Sequence, residues 1–244
     1  MVTARHSFTE VTIAAHRDVL RALRAMPQLA ATVAALLVLQ VVLELVASSI
    51  IPHNSLLGRN IPAIVYYVLM TPFLIAVHRF IILGDVTREY RLDFASPRFQ
   101  AFFGWAFVVF LISRFPVLML ALPKHWMFQS LAFVGCVAIC VFITRTAILF
   151  PAIAVDAPAV SPRNAFEDTR GHGWYIFFAF MVPFIPSILA VVLGAVIASL
   201  LNPVFGRVVF VVLFGAGMVF WLTMAVVLAS RLYLAFGERL NEAR

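Results

Sequence analysis

Long apolar runs broken by short arginine-bearing segments set the pattern of this chain. A helix that crosses a bilayer needs about 20 largely apolar residues, and six stretches satisfy that length: 28–51, 61–83, 99–122, 126–150, 174–201 and 204–236. Ahead of the first lies a segment of a different kind. Phe8, Val11, Ala15, Val19, Ala22 and Met26 recur at helical spacing, while Arg17, Arg21 and Arg24 line another face. That periodicity predicts an amphipathic helix over 8–25, lying in the membrane interface and broken from the first span by Pro27. A charged, amphipathic start of this kind reads as a retained anchor and not as a cleaved signal peptide.

The positions of the basic residues orient these spans. Fourteen arginines (5, 17, 21, 24, 79, 88, 91, 98, 145, 163, 170, 231, 239 and 244) fall on one side of the alternating spans, while only Arg59, Lys124 and Arg207 fall on the other. The positive-inside rule then predicts that both termini are cytoplasmic. Composition agrees with a chain embedded in lipid. Of 244 residues, 64% are apolar and 12% charged, and mean hydropathy is +1.03. A soluble domain carries about twice that share of charge and could not bury so much apolar side chain. The formal charge of +7 is dispersed between spans, which argues against nucleic acid as a partner. Lys124 is the one lysine among 18 basic residues, a bias expected of a GC-rich bacterial genome.

The cytoplasmic segments share a unit. Ser7-Phe8-Thr9-Glu10 has the form of a capping box, and Ser96-Pro97-Arg98 and Ser161-Pro162-Arg163 place serine at an N-cap with proline at the first helical position. A short helix, two spans and an exit arginine follow each start: Arg79, Arg145 and Arg231. The spacing predicts three pseudo-repeated hairpins in one integral membrane domain over 1–244, an all-α polytopic bundle of six transmembrane helices with short amphipathic helices on the cytoplasmic side.

Few residues offer chemistry. Glu44 and Arg114 are ionisable groups inside spans, each about 21–24 Å from the cytoplasmic edge, and such groups are functional candidates because they are costly in lipid. A structural ion pair is the first expectation for them, with Gln40 one turn from Glu44 on the same face; a polar cavity or proton site is the other. Cys136 and Cys140 share a helical face without nearby ligands and are expected to pack as small residues. His78 and Arg79 are expected at headgroups or a carboxylate. Pro72, Pro183 and Pro186 should kink their spans, and Gly194 with Ala198 has the spacing of a close helix contact. The cytoplasmic acids alternate with arginines, as solvated, ion-paired loops do. No Walker loop, zinc-protease motif or serine elbow occurs, and no cofactor or metal site is expected.

The most distinctive stretch is Arg145 with Leu149-Phe150-Pro151-Ala152-Ile153-Ala154, followed by Ala165-Phe166-Glu167-Asp168-Thr169-Arg170-Gly171-His172-Gly173-Trp174. It resembles the glycerophosphodiester phosphodiesterase membrane-domain-like family of bacterial inner-membrane proteins. There an arginine ending one span leads to a Pro-Ala turn and a short helix closing in Thr-Arg-Gly before an aromatic. The resemblance implies a six-span inner-membrane protein; no counterpart of the catalytic domain fused to some members is expected here, so no activity is carried over. Pro151 is expected to stop the fourth span, Gly171 to supply a left-handed C-terminal turn and Trp174 to sit at headgroup level. The expected function is non-enzymatic: a scaffold, assembly or envelope-maintenance factor, with membrane lipids and other membrane proteins as partners. A transporter or lipid-handling protein is the second reading, and a membrane enzyme the third.

Overall fold

The computed structural model describes residues 8–50, 56–121, 125–200 and 203–242, and the described residues contain helices and no strand. The first helix, α1 (Phe8–Ala25), follows the predicted amphipathic pattern. Ser7 of the expected capping box lies outside the described residues. At Met26 the chain bends by 96° into α2 (Pro27–Ile50), because Pro27 has no N–H with which to continue the helical bonding of α1. The apolar face of α1 does not lie in lipid. Ala15, Val19, Ala22 and Met26 are 0–2% exposed and belong to the same core as α2, α3 (Leu56–Leu83) and the final long helix.

The third apolar stretch, expected as one span over 99–122, is two helices: α4 (Pro97–Ser113) and α5 (Phe115–Ala121). Pro116 cannot donate to Ile112, and the Arg114 amide turns back to the Leu111 carbonyl at 3.1 Å instead. The α5 helix then folds back on α6 (Trp126–Thr146), with the Phe115 ring seated over Gly135. The fourth stretch does not end at Pro151, as expected. It breaks earlier, at Ala147–Ile148, and resumes as α7 (Leu149–Ala154). The physical reason is again the missing proline amide, which leaves the Ala147 carbonyl without its helical partner. Short as it is, α7 is buried along its length between α3, α4 and the last long helix.

Beyond it come α8 (Pro162–Asp168), α9 (Gly173–Met181), a 3-10 turn at Val182–Phe184, α10 (Ile185–Ser199), α11 (Pro203–Phe236) and α12 (Glu238–Asn241). The turn at Val182–Phe184 is the break that Pro183 and Pro186 predict. Pro72 breaks nothing, since α3 runs continuously past it. Gly194 of α10 meets Leu213 of α11 closely, as its spacing suggested: a Cβ there would lie 3.2 Å from Leu213 Cδ1. Cys136 and Cys140 depart from expectation, because both are exposed on α6 and take no part in helix packing.

Four stretches are long and apolar enough to cross a membrane: Asn60–Leu83, Trp126–Ala154, Gly173–Ile197 and Gly215–Phe236. The bent pair α1 and α2 makes a fifth if counted as one span. At the centre stands α11, packed against α1, α2, α3, α7, α9 and α10. Between α3 and α4 the chain doubles back. Tyr90 Oη donates to the Leu69 carbonyl at 2.7 Å, although Leu69 lies 14 residues, about 21 Å, before the end of α3. Residues 84–90 therefore run as an extended strap alongside α3 and not as a free loop.

Close packing predicts a contrast between two glycines. A Cβ on Gly237 would stand 2.7 Å from the Tyr233 carbonyl oxygen, whereas one on Gly104 meets nothing within 4 Å. Gly237→Ala should cost about 1–3 kcal/mol and Gly104→Ala should be neutral or stabilising by up to about 1 kcal/mol, read as thermal unfolding of the detergent-solubilised chain. Equal melting temperatures for the two variants would contradict the packing described.

Candidate functional site

The three exit arginines gather at one end of the bundle, and each fastens a long helix to another element. Arg79, near the end of α3, donates from Nη1 to the Ala154 carbonyl at the C-terminus of α7, at 3.3 Å. Its Nη2 meets Asp85 at 2.5 Å. Arg145, at the end of α6, donates from Nη2 to the Phe166 carbonyl in the last turn of α8 at 3.1 Å, with its guanidinium over the Phe166 ring. Arg231 of α11 donates from Nη2 and Nε to Asp18 Oδ2 of α1 at 2.6 and 2.9 Å. Two of the three thus cap helix C-termini, where the last carbonyls lack amide partners and the helix dipole is negative.

A charge network extends the first of these fastenings. Arg98, in the first turn of α4, clasps Asp156 through Nε and Nη2, with Nε 3.0 and 3.1 Å from the two carboxylate oxygens. Arg79 Nη1 stands 3.8 Å from the same carboxylate. Asp156 has φ +55, a left-handed conformation in a residue with a side chain, so the backbone after α7 turns sharply where the two arginines converge. The Arg98 hydrogen bonds hold the Asp156 carboxyl below its ordinary range.

The segment from Ser161 to Trp174 behaves largely as its sequence predicts. Ser161 caps α8 by accepting from the Asn164 amide at 3.1 Å. Ser96, though at an N-cap, makes no side-chain cap bond. Thr169 is fully buried, its hydroxyl 2.7 Å from the Ala165 carbonyl and 3.2 Å from the Arg145 carbonyl, which ties α8 to α6. Gly171 has φ +84 and provides the left-handed turn. Trp174 is 77% exposed. The Arg170 side chain is exposed and makes no hydrogen bond or ion pair among the described residues. Pro151 is buried inside α7.

Several partnerships are not visible in the sequence. Asp168 accepts from the Arg239 and Leu240 amides at 3.1 and 3.2 Å, so a carboxylate of α8 caps the N-terminus of α12. Glu167 pairs with Arg163 and Arg239. His78 turns away from headgroups and carboxylates alike. Its Nδ1 is 2.8 Å from Ser230 Oγ in the core, and because Ser230 donates to the Val226 carbonyl, His78 Nδ1–H must be the donor between them.

The intramembrane pair is not assembled by what is described. The Glu44 side chain lies outside the described side chains. Gln40 Nε2 donates to the Pro62 carbonyl at 2.9 Å, joining α2 to α3. Arg114 sits at the α4–α5 break with its guanidinium 4.4 Å from the Phe110 ring centroid, and among the described residues its buried Nε has no hydrogen-bond partner. Among the described residues, no group of three or more His, Cys, Asp or Glu is placed to hold a metal ion. No known protein family, curated protein or solved structure matches this chain.

Asp156 provides a pH test. A carboxyl whose pKa is lowered by folding stabilises the fold above the ordinary carboxylate range, and that contribution fades as pH falls through the folded value. Asp156→Asn keeps a residue tolerant of positive φ and should lower the melting temperature by about 1–3 °C at pH 7. The gap should close as pH falls below about 4. A gap of equal size at pH 3 would show that the ionised pair is not its source.

Proposed function

We propose that this chain is a non-enzymatic, multi-pass protein of a bacterial inner membrane with both termini cytoplasmic, acting as a scaffold, assembly or envelope-maintenance factor. One observation carries the reading: Arg79, Arg98, Arg145, Arg231 and Arg239 at the arginine-bearing end are spent on carboxylates and on helix termini. Arg79, Arg145 and Arg231 join spans to α7, α8 and α1, which suits a rigid platform. In the six-span reading, α2 is the first crossing and α4 with α5 form a broken third. That an exit arginine joins each of three spans to another element is what favours the threefold repeat, and the Ser161–Trp174 segment is what favours kinship with the phosphodiesterase membrane-domain-like proteins.

A second reading, transport or lipid handling, is favoured by Arg114, whose buried Nε has no partner among the described residues and lies beside a broken helix. Opened helices and intramembrane charges are the usual furniture of a substrate path.

Mass spectrometry of the chain extracted from native membranes in nanodiscs, against mock-extracted membrane, separates the two. The scaffold reading expects a protein partner at near-stoichiometric abundance. A preparation with no partner but one enriched small molecule would overturn it in favour of transport.

A further inference from the structure

The inner face of α1 is closed by α3 and α11, but the helix carries a second stripe on its outer face. Ile13, Arg17, Leu20 and Arg24 follow one another at intervals of four, three and four residues, and Arg21 flanks them; all five are exposed. Ile13 and Leu20 remain 49% and 47% exposed, large apolar side chains alternating with cations. No ion pair among the described residues neutralises those cations. Asp18, the acid in their midst, is taken by Arg231. Arg17 and Arg24 make no ion pair among the described residues, and Arg21 only lies 5.7 Å over the Phe80 ring. Glu10, a turn before Ile13, is the other carboxylate on this helix and leaves the stripe with a net positive charge.

The stripe lies near the arginine-bearing end. Arg21 rests over Phe80, three residues before the end of α3, and the exposed segment that follows α3 carries Arg88, Glu89, Arg91 and Asp93, charged side chains that belong in water or among headgroups. From the same place the 96° bend sends apolar α2 away from α1, so a membrane-crossing α2 leaves α1 lying along the surface.

We propose that the outer stripe of α1 is a binding surface for anionic phospholipid headgroups, with Arg17, Arg21 and Arg24 on the phosphates and Ile13 and Leu20 dipping among the acyl chains. The alternation suits a lipid better than an acidic protein. Arginine stems lie along apolar surface while their charged ends reach the headgroup layer, and isolated Ile and Leu between them form no patch for a protein core.

The test uses the full chain in phosphatidylcholine vesicles containing a small fraction of spin-labelled phosphatidylglycerol or spin-labelled phosphatidylcholine. The motionally restricted signal gives the relative affinity of the protein for each. Wild type should select phosphatidylglycerol by about fivefold or more, the scale of one arginine near an anionic surface. R17Q/R21Q/R24Q should bring the ratio close to one, and R17K/R21K/R24K should keep it. Selectivity that survives the glutamine variant, or is lost equally in the lysine variant, overturns the proposal. Absence of selectivity in wild type overturns it too, leaving the stripe to a protein partner.

Discussion

Unmet backbone carbonyls at the ends of short helices are the constraint around which the arginine-bearing end is organised. A helix end leaves carbonyls without intrahelical amide partners, and a buried unpaired carbonyl is costly; the amides that follow meet Pro151, Ala152 and Ile153 of α7 and Ala165 and Glu167 of α8, but among the described residues no amide meets Ala154 or Phe166. Both α7 and α8 face this problem, and both are closed by an arginine delivered from a long helix. The guanidinium suits the task because its planar donors remain charged and can serve a carbonyl and a carboxylate together. Arg79 does so, meeting the Ala154 carbonyl and Asp85.

From this follows the shape of the rest of that end. With α7 held in place, its apolar residues fill the space between α3, α4 and α11, and the chain must leave it abruptly, which it does through the positive φ of Asp156 under Arg98 and Arg79. With α8 held by Arg145 and Thr169, its own acid Asp168 is positioned to start α12. The charged network is thus a sequence of dependent placements. Its effect is to couple span ends that would otherwise be joined only by apolar packing, and that packing gives little preference for one helix angle in lipid.

Apolar periodicity made much of this legible. It located the apolar stretches Asn60–Leu83, Trp126–Ala154, Gly173–Ile197 and Gly215–Phe236, though not the break at Ala147, and it located α1, because bilayer thickness and the 3.6-residue repeat act on local sequence. Ser161, Gly171 and the Val182–Phe184 break were equally readable, since capping and proline effects are local. The breaks at Arg114 and Ala147 were harder. In both, the proline acts on a carbonyl four residues back, and sequence alone does not show whether neighbours will bridge the gap, as they do at Pro72. Long-range partners were not readable at all. Asp18 with Arg231, Asp156 with Arg98 and His78 with Ser230 are separated by 213, 58 and 152 residues, and nothing local distinguishes these acids and this histidine from solvated ones. The inner face of α1 shows the same limit: its periodicity announced an apolar face but not that protein, in place of lipid, would cover it.

Hydrogen exchange of the full chain in nanodiscs tests the central claim most directly, comparing wild type with Arg145→Gln. If the arginine closes α8, the amides of α8 and of α12, which Asp168 starts, lose protection together in the variant while those of α10 and α11 stay protected. Unchanged protection across 162–168 and 238–241 would contradict the claim and leave the arginines as surface charge.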